Sequence, residues 1–131
     1  MGNNLLKIFL VVYIFLLISG CEEKDLYNAR SEDEQEMRVL KNEIDKMSNQ
    51  LICDQAVDWK FVAIGSKACG GASGYVVYSV KIDEKSFLEK VALYTQKQKA
   101  FNVKWGVISD CSLVMQPIGV ECINGKPKFV Y

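Results

Sequence analysis

Trp59-Lys60-Phe61-Val62-Ala63-Ile64 and Tyr75-Val76-Val77-Tyr78-Ser79-Val80 flank the stretch Gly65-Ser66-Lys67-Ala68-Cys69-Gly70-Gly71-Ala72-Ser73-Gly74. Aromatic and β-branched residues fit a pleated, half-buried surface, so both flanks read as strands. Side chains alternate along a strand. Trp59, Phe61 and Ala63 therefore share one face, and Lys60, Val62 and Ile64 the other. The glycines between the strands permit positive φ, and the two strands are expected to pair across that loop.

Downstream, Phe87, Val91, Tyr94, Gln98, Phe101 and Trp105 recur at helical spacing, with Leu88, Ala92 and Thr95 beside them. Asp83 or Ser86 can cap the start, and Gly106 suits the position just past the end. Lys90, Lys97 and Lys104 stand seven apart and read as a basic ridge, either solvated or open to an anionic partner. A short strand is expected at Val107-Ile108, then an irregular connection from Ser112 to Ile118. Asn124-Gly125 between Val120–Ile123 and Lys128–Tyr131 is a strong hairpin signal, with Pro127 confining the last strand to an edge. The expected class is α+β, with an antiparallel sheet of about four short strands packed by one long helix.

Upstream, Glu22–Ala29 reads as a polar spacer. Ser31 is a plausible N-cap with Glu34 at capping-box distance. Met37, Leu40, Ile44, Met47 and Leu51 then form an apolar stripe with spacings alternating between three and four. This predicts a stalk helix over 31–52 that packs on the head, stands free or self-associates. Asp45 and Lys41, four apart, should support it.

Lys7, the apolar run Ile8–Leu17 and the small pair Ser19-Gly20 lay out a secretory signal. The run is short for a spanning helix, which needs about 20 apolar residues. The expected organisation is a signal peptide at 1–20, an acidic tether and stalk helix at 21–52, and a disulfide-stapled head domain at 53–131. From Glu22 to Ile52 there are nine acids and five bases, and from Cys53 onward seven acids and ten bases. An acidic stem thus carries a mildly basic head, and the overall balance points to no nucleic acid.

Cys21 follows the signal, which leaves Cys53, Cys69, Cys111 and Cys122, an even set suited to two disulfides in an oxidising compartment. Short loops close most cheaply, which favours Cys53 with Cys69 and Cys111 with Cys122. The chain has no His and no Cys-x-x-Cys pair, so neither a metal site nor a cofactor is implied. Without His the usual nucleophile–base arrangements are missing, and no catalytic residue is assigned. Ser66-Lys67 are adjacent on an extended segment and point apart, a poor dyad. Cys69 would be a nucleophile only if unpaired. The glycine-rich loop lacks the phosphate-binding order and is followed by a strand, so no helix N-terminus is present to hold an anion.

Leu17-Ile18-Ser19-Gly20-Cys21 resembles the bacterial lipoprotein signal. The resemblance implies a diacylglycerol thioether and an N-acyl chain such as palmitate on Cys21, with membrane attachment through that lipid. Glu22 after the lipidated residue resembles the pattern that sorts to the outer membrane of the cell envelope. Trp59-Lys60-Phe61, Ile64-Gly65-Ser66-Lys67-Ala68-Cys69-Gly70-Gly71, Gly74-Tyr75, Tyr78-Ser79 and Asn124-Gly125-Lys126-Pro127 resemble a family of small bacterial lipoproteins, a likeness that covers Trp59–Tyr131 and implies no activity. Ser73-Gly74-Tyr75-Val76-Val77-Tyr78 is similar to the Ser-Gly-x-x-Tyr loop of exported lysozyme inhibitors, with the tyrosine one residue too far. The function expected is a non-enzymatic binding or inhibitory module facing an envelope or host protein through Ser66, Lys67, Ser73 and Tyr75. The alternative is a structural, self-associating envelope lipoprotein.

Overall fold

The computed structural model describes residues 22–131. Lys7, the run Ile8–Leu17, Ser19-Gly20 and the lipidation residue Cys21 lie outside the described residues. A first unit ends at Glu34, and Gln35–Tyr131 forms a second. In order the elements are α1 (Glu22–Ser48), a 3-10 turn (Ala56–Asp58), β1 (Trp59–Ile64), β2 (Gly74–Ser79), α2 (Glu84–Lys104), β3 (Gly119–Ile123) and β4 (Lys126–Val130).

In the first unit the chain is already helical from Glu22, so the expected spacer does not appear and Ser31 lies inside the helix instead of capping it. Lys24, Leu26, Ala29 and Arg30 are good helix formers and no Gly or Pro interrupts them. Arg30 Nε donates to Glu34 Oε1 at 3.1 Å, a bond one turn along.

The core of the second unit is built by both helices and the first hairpin. Ile44 and Phe87 are fully buried, and Leu40, Ile64, Val76, Tyr78 and Val91 close around them. Fully burying a side chain of this size stabilises by roughly 1.5–3 kcal/mol. The middle of the α1 stripe is therefore taken up by the core. Helix α1 stops at Ser48, whose hydroxyl donates to Val77 O at 2.7 Å, so Leu51 lies beyond the helix and is exposed. Lys41 Nζ reaches Asp45 at 2.6 Å, as its spacing predicts.

The charge segregation is also absorbed here. Lys90 Nζ meets Glu43 at 2.6 Å and Lys97 Nζ meets Glu36 at 2.7 Å, while Lys104 sits 4.9 Å above the Trp105 ring. The basic ridge is thus turned to acids of α1 and to an aromatic ring. The Lys90 hydrogen bond, ahead of its charge, holds the Glu43 carboxyl below the usual range. Partly exposed pairs of this kind contribute about 0–1 kcal/mol each.

β1 and β2 pair antiparallel from Trp59 with Ser79 to Ile64 with Gly74. β3 and β4 pair separately, Cys122 opposite Pro127, across Asn124 (φ 52°) and Gly125 (φ 74°). Two positive φ values identify the primed turn that Asn-Gly favours. In place of the expected four-stranded sheet, the described residues form two two-stranded sheets. Side chains connect them, with the rings of Phe61 and Phe129 edge to face at 6.3 Å. β1 and β3 approach each other, but the hairpins meet through side chains and no backbone ladder joins them. The expected strand at Val107-Ile108 is irregular chain.

Helix α2 starts and stops as its sequence predicts. Asp83 Oδ1 accepts from the Ser86 amide at 3.0 Å. Past the end, Gly106 has φ 58° and the Val107 amide donates to Asn102 O at 3.0 Å, the pattern of a glycine C-cap. Among the described residues no helix is long and apolar enough to cross a membrane.

Candidate functional site

The loop between β1 and β2 is held from below by three polar side chains of α2. The Gly65 amide donates to Thr95 Oγ1 at 2.9 Å, and the Ser66 amide to Gln98 Oε1 at 2.7 Å. Ser73 Oγ donates to the same Gln98 oxygen at 2.9 Å, and Asn102 Nδ2 donates to Ser66 O at 2.7 Å. Thr95, Gln98 and Asn102 share one helical stripe. A side chain at Gly65 would be strained, because φ is 75° and a Cβ there would crowd Gln98 Oε1 and Ser73.

The loop also bonds to itself. The Lys67 amide donates to Gly71 O at 3.0 Å, the Gly70 amide to Lys67 O at 3.0 Å, and the Ser73 amide to Ile64 O at 3.1 Å. Gly70 (φ 97°) and Gly71 (φ 82°) form the reversal that these bonds require. Ala68, Cys69, Gly70, Gly71 and Ser73 remain exposed on this frame.

Of the four residues expected to contact a partner, Ser66 and Ser73 come together through Gln98. Lys67 does not stand at a tip. Its side chain is only 15% exposed, and its ammonium donates to Asp110 Oδ1 (3.2 Å), Ser112 O (2.7 Å) and Ser112 Oγ (3.1 Å). Lys67 therefore clamps the segment after α2 against the loop. Ser112 Oγ donates in turn to Asp110 Oδ2 at 2.8 Å. That bond, followed by Lys67, keeps the Asp110 carboxyl below the usual range. Tyr75 belongs elsewhere, edge to face with Phe61 at 6.0 Å in the aromatic layer that continues to Phe129 and Tyr131. The Ser66 hydroxyl lies 3.4 Å from Lys67 O while Lys67 Nζ is engaged away from it, so the adjacent pair forms no dyad.

The expected cystine connectivity is corrected. Cys53 is bonded to Cys122, a sequence separation of 69, while Cys69 and Cys111 are exposed thiols. Cys53 is buried and its amide donates to Gly125 O at 2.9 Å, which sets it beside the β3–β4 turn and Cys122. Loop entropy rises by only about 0.6 kcal/mol per doubling of length. The preference for the short loop Cys53–Cys69 was thus about 1 kcal/mol on that scaling, and packing of the C-terminal hairpin outweighs it. Cys69 faces the other half of the set: Sγ is 3.4 Å from Ser109 Oγ and 3.7 Å from Asp110 O, with Cys111 in hydrogen-bonding reach. The Cys111 hydrogen bond, then that of Ser109, draws the Cys69 thiol below its ordinary value, and the same contact pushes Cys111 up.

Away from the loop, Tyr78 donates to Glu84 Oε1 at 2.9 Å and Lys60 Nζ reaches the same oxygen at 3.1 Å. Burial, then the Glu84 contact, raises the Tyr78 phenol to about 12. These groups lock β1 and β2 to the start of α2. Among the described residues no group of three or more His, Cys, Asp or Glu side chains converges to hold a metal ion. Reading residue by residue misses Thr95, Gln98 and Asn102 as anchors. The signal was a polar Gln98 in an otherwise apolar helical row. Compared with protein-family models, curated proteins and solved structures, the chain matches none.

Proposed function

We propose that this protein is an exported, lipid-anchored, non-enzymatic binding or inhibitory module, held at the envelope membrane through Cys21 and contacting a protein partner with the loop from Gly65 to Gly74. The observation that carries the reading is the double fastening of that loop. Thr95, Gln98 and Asn102 hold it from α2 and Lys67 ties it to Ser112, while its outer residues stay exposed. A loop already ordered gives up little conformational entropy on binding. Ile108 and Leu113, 94% and 97% exposed, flank the clamped segment and add apolar surface beside it. The anchor rests on the sequence Leu17–Cys21, and the cystine Cys53–Cys122 suits an oxidising compartment.

Two experiments test this reading. Ala68→Glu places a charge on the exposed loop without touching its fastenings. Cross-linked capture of envelope proteins should fall at least about tenfold while the unfolding curve stays unchanged; equal capture by both forms would contradict the assigned surface. Metabolic labelling with an acyl-chain analogue should mark the wild-type chain and not Cys21→Ser, and a label that persists in the variant refutes the anchor.

A further inference from the structure

Lys67 fixes Ser112 and Asp110, the two neighbours of Cys111, and so holds that cysteine opposite Cys69 without any covalent bond. Both thiols are exposed, whereas the cystine of Cys53 and Cys122 has its Cys53 end buried. Among the described residues there is thus one sheltered cystine and one accessible pair whose alignment needs no covalent bond.

We propose that Cys69 and Cys111 form a thiol–disulfide exchange site that takes a small disulfide of the glutathione class, with Cys69 as the attacking sulfur. Cys69 gives its proton to solvent, and its thiolate attacks one sulfur of the small disulfide. The Cys69–sulfur bond forms as the disulfide bond breaks, and the departing thiolate takes up a proton. Cys111 then loses its proton and attacks Cys69 Sγ, expelling the second small thiol, which is protonated in turn. The protein dithiol is oxidised by two electrons and the small disulfide is reduced to two thiols.

The order follows from the surroundings. The Cys111 hydrogen bond, then the Ser109 contact at 3.4 Å, favour the Cys69 thiolate, and the Lys67 charge lies nearby. At Cys111 the Cys69 contact, then desolvation and the neighbouring Asp110 carboxylate, disfavour the thiolate. Oxidation bolts the loop to the segment after α2, adding a covalent bond to the Lys67 clamp. This inference does not depend on the loop having a protein partner.

The test uses the full chain in detergent, equilibrated across a series of reduced-to-oxidised glutathione ratios, acid-quenched, alkylated, digested and weighed. Cys69 and Cys111 should pass together from two alkylated thiols to one cross-linked pair, while Cys53–Cys122 stays linked across the same series. Cys111→Ser should trap one glutathione on Cys69. Cys69→Ser should leave Cys111 reacting at least about threefold slower than Cys69 does in the first variant, because Ser109 and Lys67 still favour the thiolate at Cys69 while Asp110 still disfavours it at Cys111, and the larger thiolate population outweighs the lower nucleophilicity that accompanies it. A cross-link from Cys69 or Cys111 to Cys53 or Cys122, or two thiols that stay reduced at every ratio, overturns the site. Equal rates in the two variants overturn the assignment of Cys69 as the attacker. The wild-type series decides the site even where a variant fails to fold.

Discussion

Replacing Gln98 with alanine removes one oxygen that serves two bonds, from the Ser66 amide at 2.7 Å and from Ser73 Oγ at 2.9 Å. A typical hydrogen bond contributes about 0.5–1.5 kcal/mol net, and an amide left unpaired in a partly buried site costs about 1–3 kcal/mol. Water reaches the exposed Ser73 hydroxyl, so that half of the loss is at the low end. The Ser66 amide lies against α2 and is half-buried, so its half is larger. Together they amount to about 2 kcal/mol, a fall of roughly 10 °C in Tm for a domain of this size. Gln98→Glu keeps an acceptor at the same place and should lose well under half as much. Urea unfolding followed by the fluorescence of Trp59 and Trp105 measures both. Equal stability of Gln98→Ala and the wild type, within about 0.3 kcal/mol, would refute the claim that α2 fastens the loop.

Ile44→Ala should destabilise by about 2–5 kcal/mol in the same assay, because the side chain is fully buried; a loss below 1 kcal/mol would mean that α1 stands apart from the core. Phe87→Ala should cost about 3–5 kcal/mol, since its ring lies 4.8 Å from that of Tyr78 at the centre of the cluster. Removing Cys53–Cys122 by a double Ser substitution releases a loop of 69 residues and should cost about 4 kcal/mol in the chain-entropy view. Tyr78 ionises at about 12 in the folded chain against about 10 unfolded. Its contribution is therefore complete below pH 10 and lost as pH rises toward 12, and Tyr78→Phe should flatten that alkaline limb. Glu84 has the opposite sign: the Tyr78 bond, then Lys60, lowers its carboxyl, so its contribution is present above the ordinary carboxylate range and lost as acid titrates it.

Local patterns carried most of the legible structure. The primed turn at Asn124-Gly125, the Asp83 cap, the Gly106 stop and the strands on either side of the glycine-rich loop are each set by a few neighbouring residues. What was not legible depended on contacts between distant segments. The pairing of Cys53 with Cys122 follows from where the C-terminal hairpin packs, and a loop-length argument weighs too little to decide it. The split into two small sheets depends on how the second hairpin packs on the first, and residues such as Phe61 and Phe129, whose rings meet there, suit a strand face in either arrangement. Lys67 looked like an exposed tip because its partners, Asp110 and Ser112, lie more than forty residues away. The lysines of α2 looked like a solvated ridge until Glu43 and Glu36 were set opposite Lys90 and Lys97.

Amide hydrogen exchange of the native protein reads out whether the loop is an ordered and presented surface. The amides of Gly65, Ser66, Lys67, Gly70 and Ser73 donate to Thr95, Gln98, Gly71, Lys67 and Ile64 respectively. They should exchange at least about a hundredfold more slowly than an unstructured chain, corresponding to local opening above roughly 2.7 kcal/mol. Exchange of these five amides at unprotected rates would contradict an ordered loop.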